Sequence, residues 1–136
     1  MDTLTPEQRS ERMSRVRGRD TKPEMLVRRL VHAMGYRFRL HRKDLPGKPD
    51  LVFPTRRKVI FVHGCFWHRH SDAACRLARM PKSKLDFWGP KLENNRKRDA
   101  VIRARLEELG WSVLVIWECE TSDRDALRAR IGGFLE

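Results

Sequence analysis

Residues 111–118, WSVLVIWE, constrain the fold more than any other stretch of this chain. Apolar side chains fall on both alternating faces, which excludes a half-solvated strand and predicts a central strand buried between two layers. The covering layers have to be helical, and the rest of the sequence offers them. TKPEMLVRRLVHAMG opens with Thr21 as cap, Pro23 in the first turn and Glu24 as the acid of a capping box. Leu26, Leu30, Val31 and Met34 form its buried stripe, and Gly35 ends it. Residues 90 to 109 predict a basic helix with Leu92, Ile102, Leu106 and Leu109 inward and Gly110 as the stop. Ser122 then caps a last helix that ends near Gly132.

Between these, YRFRL alternates as a strand with Tyr36, Phe38 and Leu40 on one face. HRKDLPGKP reads as a loop, and DLVFP and KVIFVH as two strands around the turn TRR. Ahead of all this, TPEQRSERMSRVRGRD predicts an arginine-rich helix with little to bury beyond Met13 and Val16, suited to packing on a ligand or partner. The order α-α-β-β-β-α-β-α implies an α/β fold, a mixed sheet covered by helices. A length of 136 residues suits a single domain over 1–136.

The charge is distributed unevenly. Residues 1–106 hold 27 Lys and Arg against 11 acids, a balance of +16, while the last 30 hold 3 against 7, a balance of −4. One basic surface facing a polyanion, most often nucleic acid, is the expectation. No amphipathic aromatic helix is flanked by the basic residues, so membrane association is not expected. The start lacks the apolar core of a secretory signal, and a cytoplasmic protein is the default.

Three cysteines without such a signal favour metal binding or buried thiols over disulfides. In VHGCFWHRHSDAAC, Cys65, His70 and Cys75 are separated by four residues each, and Cys119 follows the buried strand. Three thiolates and one imidazole make a common closed zinc set, although the spacing leaves His63, His68 and His70 all open as the fourth ligand. Asp50 opens one strand and His63 closes the next, so a tight hairpin makes them neighbours with His68 within reach. A carboxylate for a hard cation beside an imidazole suits metal-assisted phosphodiester hydrolysis. Asp50 also reads simply as a turn residue after proline, and Glu24 as a capping acid with no other role. His32 reads as a helix-surface histidine and His41 as a loop histidine.

GKPD, VIFVHGCFWHRH, the later FW and ELGWSVLVIWEC together resemble the very short patch repair endonucleases of bacteria, over most of the chain from about Met13 to Cys119. The resemblance implies a restriction-endonuclease-like fold with a zinc-stapled loop. It implies a magnesium-dependent enzyme that nicks double-stranded DNA 5′ to the T of a G:T mismatch left by 5-methylcytosine deamination; a nickase needs only one active site, so a monomer is the expectation. On matching positions it makes Asp50 a magnesium ligand together with the backbone carbonyl of Val62. His68 becomes the general base, His63 a support for the reacting phosphate, and Glu24 the group that orients His68. Cys65, His70, Cys75 and Cys119 become the zinc ligands. Phe66, Trp67 and Trp88 become an aromatic wedge at the mismatch, with Met13 and Val16 approaching from a DNA-contacting helix over 1–19. Two departures stand out: Phe61, Val62 and His63 lie where the wider superfamily has an acid and a lysine, and the His70–Cys75 spacing is longer than the family's. The alternative from another class is a zinc-stabilised DNA-binding module without catalysis, in which Asp50 and His68 are dispensable.

Overall fold

The computed structural model describes residues 21–66, 68, 70, 75 and 85–136, with side chains in the last segment from residue 89 onward. The expected N-terminal helix with Met13 and Val16, the Trp67 residue and the Trp88 side chain lie outside these described residues. Helix α1 spans Lys22–Ala33, and Thr21 Oγ1 accepts the Glu24 N–H at 3.4 Å to cap it. Strands β1 (Arg39–Leu40), β2 (Leu51–Phe53) and β3 (Lys58–His63) follow. Helix α2 (Leu85–Glu108), strand β4 (Ser112–Trp117) and helix α3 (Arg124–Leu135) complete the order.

The four strands form one mixed sheet in the order β1-β2-β3-β4. β1, β2 and β3 pair antiparallel, as short connections allow, whereas β3 and β4 run parallel because the whole of α2 crosses over between them. One face carries Leu51, Phe53, Ile60, Leu114 and Ile116 against Val27 and Val31 of α1 and Leu127, Ile131 and Leu135 of α3. The other carries Val52, Val59, Phe61 and Val113 against Leu45, Leu106 and Trp111. Burying two faces of one sheet is the layered α/β solution that WSVLVIWE demanded.

Several expectations shift. β4 is not central: among the described residues it is the edge strand beyond β3, with its apolar faces buried in the core on each side of the sheet. YRFRL contributes only Arg39–Leu40 to the sheet. Tyr36 and Phe38 still pack on the core as irregular chain, with Phe38 edge-on to Phe53 at 6.2 Å. Leu109 is 54% exposed because α2 ends one residue earlier and Gly110 turns the chain away at φ +90°. In α1 the fully buried positions are Val27 and Val31, with Leu26, Leu30 and Met34 at the margin. Asp123, not Ser122, caps α3, accepting the Ala126 N–H at 3.1 Å, and the helix continues past Gly132 until Leu135 is buried.

Candidate active site and metal centre

The chemistry-bearing side chains collect at one end of the sheet, where parallel β3 and β4 finish and antiparallel β2 begins. Carboxyl ends of parallel strands diverge into loops there, which is where open α/β sheets hold their ligands. The register Leu51↔Ile60 brings Asp50 alongside the end of β3, and Asp50 Oδ2 accepts the Val62 N–H at 2.7 Å. A cavity of about 970 Å³ opens at this end, lined among others by Glu24, Asp50, His63, Phe66, His68 and Asp99. Gly47, at φ +74°, lets the preceding loop press on α2, since a Cβ there would collide with Ile102. The loop carrying Asp50 and the helix carrying Asp99 are thereby packed together at this cavity.

Asp50 is joined by two groups. Glu24 is buried, its Oε2 accepting from Arg28 Nη1 at 3.0 Å and its Oε1 lying 3.1 Å from His41 Nε2. The same His41 nitrogen is 3.7 Å from Asp50 Oδ1. His41 is thus not a plain loop histidine: a left-handed backbone (φ +47°) turns its ring back between two carboxylates. Glu24 is likewise more than a cap, and its carboxylate reaches Arg28 and His41 instead of His68, because α1 lies on the Asp50 side of the cavity. Burial pushes the Asp50 carboxyl up to about 8, with the nearby Glu24 adding to it and the Val62 N–H opposing it. A carboxyl that resists ionisation beside a second acidic side chain is a group that a divalent cation stabilises in its charged form.

His68 Nδ1 lies 2.6 Å from Asp99 Oδ2 of α2. The His63 and His68 rings stack at 3.9 Å with 5° between planes. Burial, reinforced by the adjacent His68, holds His63 well below the usual imidazole range, at about 3. His63 is therefore neutral at any working pH and presents an uncharged ring. His68 is turned into place by a tight bend in which its N–H donates to the Gly64 carbonyl at 3.1 Å. Asp99 went unremarked in the sequence because it sits in a run of Lys and Arg, where an acid reads as a surface counter-charge. The helical phase relating it to Ile102 (i, i+3) was the available signal for an inward position.

The cysteines form a separate centre. One ligand atom from each of Cys65, His70, Cys75 and Cys119 lies within 4.8 Å of every other. Cys119 Sγ is 3.5 Å from His70 Nδ1, and the Cys119 N–H donates to Cys65 Sγ at 3.4 Å. A tetrahedral ion with sulfur at 2.3 Å and nitrogen at 2.0–2.1 Å separates those two donors by about 3.5 Å, so the four residues fit zinc. Burial raises the Cys65 and Cys119 thiols, which makes bare thiolates unfavourable and a coordinating cation the natural counter-charge. Among the three histidines left open by spacing, only His70 joins the cysteines; His63 and His68 face Asp99. Phe66 borders the cavity.

Comparison with known proteins bears on what this geometry does. Residues 1–74 match the family model described as DNA mismatch endonuclease Vsr. The chain is 56% identical over 135 residues to the type II nicking enzyme V.XorIIP of Xanthomonas oryzae pv. oryzae, covering 99% of this chain and 97% of the relative. It is 40% identical over 130 residues to the type II nicking enzyme V.NmeAIP of Neisseria meningitidis, covering 96% and 91%. To the DNA mismatch endonuclease Vsr of Escherichia coli it is 42% identical over 119 residues, covering 88% and 74%. No helix among the described residues is long and apolar enough to cross a membrane.

Proposed function

The chain belongs to the Vsr family of DNA mismatch endonucleases, and on that footing we propose that it nicks double-stranded DNA 5′ to the T of a G:T mismatch, the product of 5-methylcytosine deamination. The observation that carries this reading is the shared cavity, which is lined both by Asp50 and by an imidazole–carboxylate pair, His68 and Asp99.

Asp50 and the carbonyl oxygen of Val62 would hold a magnesium ion. In a β-strand the N–H and C=O of one residue point to the same side, so the Val62 carbonyl shares the side of the amide that Asp50 accepts. When bound, the ion supplies positive charge that polarises the phosphate and stabilises the departing oxygen. Asp99 keeps the proton of His68 on Nδ1, which leaves Nε2 as the free base for the attacking water. His63, neutral and stacked on His68, fixes the plane of that ring and borders the phosphate without adding charge. Glu24, through His41, braces Asp50 rather than His68.

Zinc on Cys65, His70, Cys75 and Cys119 staples the loop that carries Phe66, Trp67 and His68. Phe66, Trp67 and Trp88 open the base stack beside the mismatch, where unstacking costs less than in matched duplex. Met13 and Val16 approach from the helix over 1–19 as part of one domain over 1–136. The protein acts in the cytoplasm as a monomer, since one nick requires one site.

The test is nicking of G:T and matched duplexes with and without magnesium. Magnesium-dependent cleavage of the T strand alone is expected. Equal cleavage of both duplexes rejects the mismatch assignment, and no cleavage of either rejects the enzyme in favour of a zinc-stabilised binding module.

A further inference from the structure

Trp117, the last residue of β4, touches both centres. Its ring stacks on His70 at 4.3 Å with 15° between planes. Its edge meets His63 at 5.3 Å and 73°. His63 in turn stacks on His68. Strand register explains the placement: His63 and Trp117 are partners across the parallel β3–β4 pair, both at the strand ends. The backbone is anchored there as well, since the Trp117 N–H donates to Glu120 Oε1 at 2.9 Å, opening the turn that delivers Cys119. A continuous run of planar groups thus leads from the cysteine centre through His70, Trp117 and His63 to His68.

An aliphatic side chain at this position would fill the space but could not meet one ring face-on and another edge-on. Aromatic pairs prefer those two arrangements, each adding to plain burial. His68 itself sits in a short bend, held by one side-chain bond to Asp99 and by the His63 ring. Its orientation therefore depends on where His63 stands, and His63 is bounded on the far side by Trp117.

We propose that Trp117 is a positioning residue for the nicking reaction: it transmits the geometry of the Cys/His centre through His63 to the ring of His68. This rests on the reading of His68 as the base and of the four-residue centre as a zinc site. The zinc centre then has a second consequence besides stapling the loop, because it sets the position of a reacting group it does not touch.

The experiment compares Trp117→Leu and Trp117→Phe with the wild type in the full chain, measuring kcat and KM on G:T duplex, zinc content and melting temperature. A displacement of about 1 Å at a reacting group can cost about 10²-fold in rate. Trp117→Leu is expected to lower kcat by about tenfold to a hundredfold with KM and zinc content unchanged, and Trp117→Phe to recover most of it. The same substitution in a His68→Ala background is expected to cost nothing further, since two residues acting through one group are not additive. An unchanged kcat in zinc-loaded Trp117→Leu overturns the proposal. So does a loss that is fully retained in His68→Ala, or loss of zinc in both Trp117 variants, which reduces Trp117 to part of the staple. If His68→Ala itself is almost fully active, the underlying assignment of the base fails instead.

Discussion

Substituting Asp99 by Asn isolates the pairing that holds His68. The two side chains meet at 2.6 Å, and they are 31% and 23% exposed, so water screens them only in part. In the proposed reaction His68 takes a proton from the attacking water, and its ring becomes cationic beside the Asp99 carboxylate. Two unit charges about 4 Å apart at an effective dielectric of about 20 interact by about 4 kcal/mol. Partial exposure reduces this, by roughly a third to a half, to about 2–3 kcal/mol. At about 1.4 kcal/mol per decade that is a loss of roughly thirtyfold to 150-fold in the chemical step. The amide keeps the size of the carboxylate, so zinc content and duplex affinity stay unchanged. The assay is single-turnover nicking of saturating G:T duplex at saturating magnesium. A rate within about threefold of wild type refutes the pairing as a catalytic one, since a positioned base contributes about 10²–10⁴-fold. Glu24→Gln provides the contrast: because Glu24 reaches His41 and not His68, its effect should add to that of His68→Ala, whereas that of Asp99→Asn should not.

Three further outcomes follow from the same geometry. Cys119→Ser should lose zinc and much of the thermal stability, because metal affinity here is folding free energy; a full zinc complement by elemental analysis would contradict this. For Asp50 the sign follows from its raised carboxyl: folded protein holds the proton up to about 8, unfolded chain only to about 4, so magnesium-free stability falls as pH rises through that window. Buried His63, held at about 3, gives the opposite slope but only below about 6.5. Between about pH 6.5 and 8 the melting temperature of zinc-loaded, magnesium-free wild type should therefore drop relative to Asp50→Asn, with magnesium removing the difference; parallel curves reject it. DNA affinity should weaken steeply with salt, reflecting several phosphates neutralised by basic residues such as Arg96, Lys97 and Arg98 of α2, and a flat dependence on salt would remove the nucleic-acid reading of the +12 charge.

Local signals in the sequence were enough for α1, the β2–β3 hairpin and the two glycine stops, because caps, alternation and positive-φ glycine act over a few residues. The cysteine centre was legible for a related reason: thiols and imidazoles gathered in one loop have few other uses. His41 and Asp99 were not legible. The role of His41 depends on a left-handed backbone at a non-glycine residue, which nothing in HRKDLPGKP announces. That of Asp99 depends on α2 crossing the cavity at one particular height, a tertiary fact. The edge position of β4 was hidden for the same reason, since an apolar strand buried on both faces reads like a central one.

Charge also separates the two functional classes considered for this chain. A DNA-binding module gains affinity from every lysine and arginine and loses it from acids at the contact surface. Here a strongly basic protein buries Glu24 and half-buries Asp50 in the lining of a cavity that also holds His63, kept neutral by burial. Burying a carboxylate beside another costs stability and repels phosphate, so a protein that only binds DNA has no use for the arrangement. A divalent cation would offset both effects at once, giving the carboxylates a counter-charge to hold in place of a phosphate to repel. The neutral His63 fits the same need: a charged imidazole would compete with that ion, whereas a neutral ring can stack on His68 and leave the positive charge where the reaction develops its own. The acidic pocket within the basic surface is therefore the feature that favours hydrolysis over binding alone.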